Sequence, residues 1–168
     1  MLDYANNKIV VDGCYGCAYA NHKFSLPCGM VYENEFLTIS QDWELPINGW
    51  IVLCPKHCVE KIEDLTENER NQLFKYVGLT TKYLKEIKIS NYFTIEMEEK
   101  KGIHFHISII PKHSWMIDVA GSYTDNFGEI ISYAKKNFKT QKHFDDINKT
   151  VLLLKEKFLL TNQKSIQP

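Results

Sequence analysis

Two histidines and a serine alternate with apolar residues over residues 103–110 of the chain. If this segment is a β-strand, His104, His106 and Ser108 lie on one face and the apolar side chains lie on the other. Pro111 is expected to end the strand, because a ladder position needs an N–H that proline lacks. Neighbouring imidazoles can bind a metal, pair a nucleophile with its orienting group, or form ordinary hydrogen bonds. The alternation therefore predicts a strand with one chemically competent face.

A second candidate site is the C-x-x-C motif of Cys14 and Cys17, where glycines before and within the motif permit a tight turn around a metal. A redox function would need a thioredoxin-like βαβ unit after the motif. Instead, a polar segment with Pro27 and Gly29 follows, which predicts a loop. The chain has no second C-x-x-C motif, so any further metal ligands must come from elsewhere in the sequence.

The length and composition are those of one globular domain, with 168 residues, 44% hydrophobic and 24% charged. The formal net charge of −1 provides no electrostatic footprint for long nucleic acid, so a nucleic-acid partner is not expected, whereas a small phosphorylated ligand is compatible. No apolar run reaches membrane length, and we expect no membrane association.

The N-terminus lacks the basic and apolar regions of a secretion signal, so we expect a cytoplasmic location. Disulfides are rare in that compartment. The five cysteines are therefore expected to bind metal or to be buried as thiols.

Hydrophobic periodicity and turn signals predict the elements that position these residues. Residues 31–40, 50–54 and 92–97 are predicted as strands that precede the histidine strand. Thr66 and Glu69 form a capping-box pattern, which predicts a helix that continues to about Lys88. After Pro111 we expect a loop that contains Trp115, and then helices over about 126–137 and 145–160.

Taken together, the C-x-x-C motif, the PKHC sequence at 55–58 and the H-x-H motif resemble the histidine triad (HIT) superfamily, including its galactose-1-phosphate uridylyltransferase relatives. The resemblance extends over about residues 14–112. It implies an α+β fold with a HIT-like antiparallel sheet and packed helices. We divide the chain into a HIT-like domain (1–115) and a helical C-terminal extension (116–168) packed on the same domain. The resemblance also implies a homodimer.

The resemblance assigns a function to the histidine strand. In the superfamily the middle histidine of the triad attacks the α-phosphate of a nucleotide, and His106 matches that position. An imidazole nitrogen can form such a covalent intermediate, which divides one difficult displacement into two easier ones. Asp42 matches the acid that binds the ribose. The resemblance therefore implies a nucleotide phosphate hydrolase or nucleotidyltransferase that acts on nucleoside phosphates or dinucleoside polyphosphates.

It also implies a zinc site. His104 matches the first histidine, which in zinc-bearing members is a metal ligand together with the C-x-x-C pair and a histidine at the position of Cys58. Here His57 stands one place before Cys58, and either can bind zinc. The register favours Cys58. A closed set of Cys14, Cys17, Cys58 and His104 is typical of structural zinc.

The chain departs from the family pattern at three places. Ser108 replaces the third histidine, as in the uridylyltransferase branch, and serine is a poor proton donor. Lys100 and Lys101 occupy a shortened loop where the family tends to place phosphate-binding Gln and hydroxyl residues; they bind phosphate as point charges or belong to a solvated turn. Trp115 resembles an aromatic residue that closes the site in some relatives, or else it is core. These departures leave a catalytically silent nucleotide-binding or interaction protein as the alternative.

Overall fold

The computed structural model describes residues 3–164 of the chain. Its centre is a five-stranded antiparallel sheet with strand order β1-β2-β3-β5-β4. The strands are β1 (Met30–Glu33), β2 (Leu37–Gln41), β3 (Ile51–Pro55), β4 (Phe93–Glu98) and β5 (His106–Pro111). The helices are α1 (Tyr15–Ala20), α2 (Glu67–Glu86), α3 (Ser114–Ala120), α4 (Phe127–Asn137) and α5 (Gln141–Lys164). This architecture confirms the predicted α+β fold with an antiparallel sheet.

The first predicted strand, over residues 31–40, is in fact a hairpin of β1 and β2. Asn34 breaks it, because the Asn34 Oδ1 accepts hydrogen bonds from the backbone N–H groups of Phe36 and Leu37 at 2.8 and 3.0 Å. A side chain that bonds its own backbone in this way stabilises a turn. The loop expected around Trp115 is also different, since it contains helix α3.

The two faces of the sheet bury separate hydrophobic cores. Helices α2 and α5 cover one face, where Leu73, Leu84, Val151 and Phe158 pack against strand residues such as Ile107. The capping box of α2 is present as predicted, since Thr66 accepts from the Glu69 N–H and the Glu69 side chain accepts from the Thr66 N–H.

Helices α3 and α4 cover part of the opposite face. Met116 of α3 and Ile130 and Ala134 of α4 pack there against Val52 and Ile110 of the sheet. Next to this core, a cavity lies on the part of the same face nearer His106. Within residues 3–164, no helix combines the length and the apolar character needed to cross a membrane.

Candidate active site and metal cluster

A cavity of about 510 Å³ opens on the α4 side of the sheet. This volume is in the range of small-molecule sites. Its lining includes two carboxylates, two imidazoles and one ammonium group: Asp42, Glu44, His104, His106 and Lys135. The remaining lining residues are Gly13, Cys14, Tyr15, Gly16, Trp43, Leu45, Val52, Cys54, Gly102, Ile103 and Ile131.

His106 is the first residue of β5 and is half-buried at the floor of the cavity. The alternation predicted for this strand is observed, because Phe105, Ile107 and Ile109 are buried in the core on the α2 side. The His106 Nδ1 lies 3.0 Å from the backbone carbonyl oxygen of His104. A carbonyl oxygen only accepts hydrogen bonds, so in the neutral ring Nδ1 carries the proton and Nε2 has a free lone pair. The backbone thus selects the tautomer suited to a nucleophile.

His104 is buried, and its ring makes different contacts from the ring of His106. Its backbone lies just before β5, where the following residue, Phe105, donates its N–H to the carbonyl oxygen of Val59 at 2.8 Å. The His104 Nε2 donates to the Pro55 carbonyl oxygen at 2.8 Å, which leaves Nδ1 unprotonated in the neutral ring. Burial lowers the pKa of His104, although the Pro55 carbonyl opposes this shift.

Three cysteines surround the free His104 nitrogen. The Sγ atoms of Cys14 and Cys17 lie 3.2 and 3.6 Å from Nδ1, and the four ligand atoms of Cys14, Cys17, Cys58 and His104 all lie within 4.8 Å of one another. The alternative ligand, His57, instead has its Nδ1 3.3 Å from the Glu69 carboxylate oxygen Oε1. The geometry thus assembles the Cys₃His set that the register favours, and a donor set of this kind fits a tetrahedral zinc ion.

Local backbone features bring these ligands together. The Cys14 Sγ accepts from the Cys17 N–H at the start of α1, which curls the C-x-x-C motif around one point. Gly16 lies so close to the His104 ring that a Cβ at this position would be 2.5 Å from the ring carbon Cγ. Burial, together with Cys58 and Cys14, raises the pKa of the Cys17 thiol to about 12. A bound cation would favour the thiolate form of Cys17, which metal coordination requires.

Asp42 follows β2 and lines the cavity beside the floor. Its Oδ1 accepts from the backbone N–H groups of Leu45 and Glu44 at 2.7 and 2.9 Å. Burial raises the pKa of the Asp42 carboxyl to about 6, although these two hydrogen bonds oppose the shift. Both of these hydrogen bonds engage Oδ1 and neither engages the other carboxylate oxygen.

The structure places Ser108 differently from His106. Ser108 pairs with Val52 of the neighbouring strand β3. It is buried on the face that α3 and α4 cover. Among the described residues, those that line the cavity include His106 but not Ser108.

Lys100 and Lys101 lie in the exposed turn between β4 and β5, which the Ile103 N–H closes on the Lys100 carbonyl at 2.9 Å. The adjacent Gly102 and Ile103 line the cavity, but neither lysine does. Trp115 packs between α3 and α4, with its ring 5.7 Å from Tyr133 and 4.9 Å from Phe138. This environment corresponds to the core alternative for Trp115 and does not bring it to the cavity.

Sequence reasoning did not identify several side chains that line the cavity. Tyr15 and Trp43 form an aromatic wall, with ring centroids 6.4 Å apart. Ile131 and Lys135 reach the cavity from α4. The helical pattern of α4 was recognisable in the sequence, but no local signal states which part of the sheet a helix will cover.

No protein-family model matches this chain, and no curated protein matches it in sequence. Several solved structures do. A zinc-bound histidine triad family protein from Mycobacterium smegmatis is 13% identical, over 90% of this chain and 96% of that one, with a TM-score of 0.62. A hypothetical histidine triad nucleotide-binding protein from Sulfolobus tokodaii is 21% identical, over 85% and 92%, with a TM-score of 0.60. A HIT family protein from Bacillus anthracis is 19% identical, over 85% and 97%, with a TM-score of 0.56.

At these identities the likeness establishes the fold, and the chain has the HIT fold expected from its motifs. The likeness to the uridylyltransferase branch stays a prediction.

Proposed function

We propose that this protein is a nucleotide phosphate hydrolase or nucleotidyltransferase that forms a covalent intermediate on His106. One observation carries the proposal: the Nδ1 of His106, a residue that lines a nucleotide-sized cavity, lies 3.0 Å from the His104 carbonyl oxygen, which leaves Nε2 of the neutral ring with a free lone pair for nucleophilic attack. The structural neighbours support it at the level of the fold, since one of them is described as a nucleotide-binding protein. The proposed substrates are nucleoside phosphates or dinucleoside polyphosphates.

The proposed reaction has two displacements. In the first, His106 Nε2 forms a bond to the α-phosphorus, while the bond from phosphorus to the leaving oxygen breaks and its electron pair departs with that oxygen. In the second, the oxygen of water, or of an acceptor phosphate, attacks the same phosphorus and the P–N bond breaks, which returns its electron pair to Nε2. The proton of an attacking water leaves to solvent. During both displacements the Nδ1–H···O=C bond to His104 keeps the ring oriented.

We propose that Asp42 binds the ribose. The carboxylate oxygen that does not accept from the β2–β3 loop can accept a hydrogen bond from a ribose hydroxyl, and a bond to a charged acceptor is among the stronger ones. Because Asp42 and His106 line one cavity, a single nucleotide can engage both.

Cys14, Cys17, Cys58 and His104 would hold one structural zinc ion. The set has three soft thiolate donors and an imidazole whose Nδ1 is free because Nε2–H donates to Pro55, the arrangement expected of a metal-bound histidine. The zinc-bound structural neighbour supports this proposal. Bound zinc contributes on the order of 10 kcal/mol to the folding of such sites. It would tie the N-terminal segment to the start of the histidine strand.

The second candidate function is a catalytically silent nucleotide-binding or interaction protein. The observation in its favour is Ser108, since it is buried outside the cavity and offers no strong acid to a leaving group. Lys100 and Lys101 also stand outside the cavity and would meet only those phosphates that extend beyond it.

We also propose a homodimer formed through the edge of the sheet. Strand β4 is an edge strand, and it exposes Ile95 and Met97 on one face, with Tyr92 74% exposed just before it. Exposed edges with apolar side chains favour pairing with another strand. Light scattering would give the mass of the assembly.

We also propose a cytoplasmic location. The five described cysteines are free thiols, which is compatible with it.

Incubation with a dinucleoside polyphosphate, rapid acid-free quenching and mass spectrometry of the peptide that contains His106 tests the proposed reaction. We expect a nucleoside monophosphate adduct on His106 and release of a nucleoside phosphate. His106→Ala should abolish adduct and turnover while nucleotide binding persists. His22→Asn is the matched control, because His22 is exposed and lies outside the cavity.

Turnover that survives in His106→Ala would contradict a nucleophilic role for this residue. Nucleotide binding by the wild type without any turnover or adduct, over a panel of nucleotides, would instead establish the silent alternative.

A further inference from the structure

Helix α4 supplies two side chains to the cavity that the histidine motif does not account for. Ile131 and Lys135 are one helical turn apart and therefore lie on the same side of the helix. The neighbouring residues Ile130 and Ala134 are fully buried against the sheet, which fixes the rotation of α4. This packing directs the Ile131–Lys135 side along the cavity wall.

Lys135 is the only lysine or arginine among the described residues that line the cavity. Its Nζ lies 3.5 Å from the Glu44 Oε2, and the two side chains are 46% and 52% exposed. These residues therefore stand where the cavity meets solvent. Ion pairs at such exposure contribute little to stability, so Lys135 can exchange Glu44 for a ligand at small cost.

The position of His106 determines where the leaving group goes. In an in-line displacement at phosphorus, the attacking and leaving oxygen or nitrogen atoms stand on opposite sides of the phosphorus. His106 attacks from the sheet, which forms the cavity floor, so the leaving oxygen departs away from the sheet and toward the solvent opening. Lys135 and Glu44 flank that opening. A departing phosphate chain gains negative charge there.

We propose that Lys135 binds the departing phosphate chain of a nucleoside oligophosphate and stabilises the charge that develops on its bridging oxygen. The assignment rests on the function proposed above. Glu44 holds the lysine beside the opening when no substrate is bound. A fixed positive charge next to the leaving oxygen lowers the barrier, because the negative charge on that oxygen is greater in the transition state than in the bound substrate. Lys135 would thus assist a polyphosphate leaving group without donating a proton.

The test compares two substrates that give the same nucleotidyl intermediate. One is a dinucleoside polyphosphate, and the other is a nitrophenyl ester of the same nucleoside monophosphate, whose leaving group carries a single charge that its own ring delocalises. Lys135→Met should lower kcat/KM for the dinucleoside polyphosphate about tenfold, less than the 10²–10³-fold loss of a buried donor because Lys135 is half-exposed. The nitrophenyl ester should be cleaved almost as before. Lys136→Met is the control, since Lys136 is exposed on α4 and does not line the cavity.

A second variant separates this role from a purely structural ion pair. Glu44→Gln removes the acidic competitor, so we expect a higher kcat/KM for the dinucleoside polyphosphate. If the ion pair only anchored α4 to the β2–β3 loop, Glu44→Gln and Lys135→Met would both lower activity, and they would do so on both substrates. That result would overturn the assignment.

Different results would overturn the role of Lys135 and the proposed function. Wild-type turnover that Lys135→Met leaves unchanged would overturn the role of Lys135 alone. Absence of both wild-type turnover and a His106 adduct would overturn the proposed reaction and, with it, the leaving-group role.

Discussion

Replacing Asp42 with asparagine is expected to stabilise the fold at neutral pH while it weakens ribonucleotide binding. Asparagine keeps an Oδ1 that can accept the two backbone hydrogen bonds of the β2–β3 loop, so the turn can persist. It removes the buried negative charge, which the folded state disfavours. It also replaces the second carboxylate oxygen with an NH₂ group, which donates and cannot accept a ribose hydroxyl.

The magnitude follows from the pKa of Asp42, which burial raises from its ordinary 3.8 to about 6. Between these pH values the folded protein holds a proton that the unfolded chain has released, so stability falls as pH rises from about 4 to about 6. Above pH 6 the cost is complete. Two pKa units correspond to about 3 kcal/mol. Since the side chain is half-buried and partly screened, we expect Asp42→Asn to raise the free energy of unfolding by about 1 to 2 kcal/mol.

Urea denaturation of wild type and variant at pH 8 and pH 5 measures this effect. The gain should be complete at pH 8 and about half as large at pH 5, because near pH 5 the folded carboxyl is largely protonated. Asp118→Asn, at an exposed position on α3, should show no comparable gain. Affinity should fall about tenfold for a ribonucleotide and little for its 2′,3′-dideoxy analogue. An equal gain at both pH values, or an equal loss for both ligands, would refute the reasoning.

Further predictions concern the metal cluster and the third triad position. Purified protein should contain one zinc per chain by elemental analysis, and Cys14→Ala should lower the Tm more than Cys28→Ala does. Gly16→Ala should reduce the zinc content, because its Cβ would meet the His104 ring, whereas Gly78→Ala meets nothing within 4 Å and should retain zinc. Ser108→His should leave the rate for a nucleoside phosphoramidate relative to a dinucleoside polyphosphate nearly unchanged, because an amine leaving group needs a proton and residue 108 is buried outside the cavity. A selective gain for the phosphoramidate would show that the side chain at 108 reaches the leaving group.

The predictions from sequence were most accurate where a local residue pattern alone determines the secondary structure. The alternation of Phe105, Ile107 and Ile109 with His106 and Ser108 is observed, since a shift of one residue would move the three apolar side chains out of the core on the α2 side. The Thr66 capping box was equally local and is present. The break at Asn34 was missed because residues with high β-propensity stand on both sides of it, although asparagine is a recognisable turn residue.

The composition of the cavity depends on contacts between distant segments. Lys135 lies 91 positions from Glu44 in sequence, and only the burial of Ile130 and Ala134 on the sheet brings them together. Periodicity identifies an apolar side of α4, but it does not identify the surface on which that side packs. The sequence left phosphate binding and a solvated turn as alternatives for Lys100 and Lys101, and both lie in an exposed turn that does not line the cavity.

The metal cluster and the proposed nucleophile share one residue, His104. Its imidazole is fixed between the thiols and the Pro55 carbonyl, while its own backbone carbonyl accepts the proton-bearing nitrogen of His106. A ligand change that shifts His104 would therefore move the acceptor that selects the His106 tautomer. A misplaced nucleophile lowers the reaction rate more than the affinity for the nucleotide. Substitutions in the metal cluster should therefore lower kcat before they weaken nucleotide binding. We therefore expect the structural site to influence the proposed chemistry through the backbone of the histidine strand.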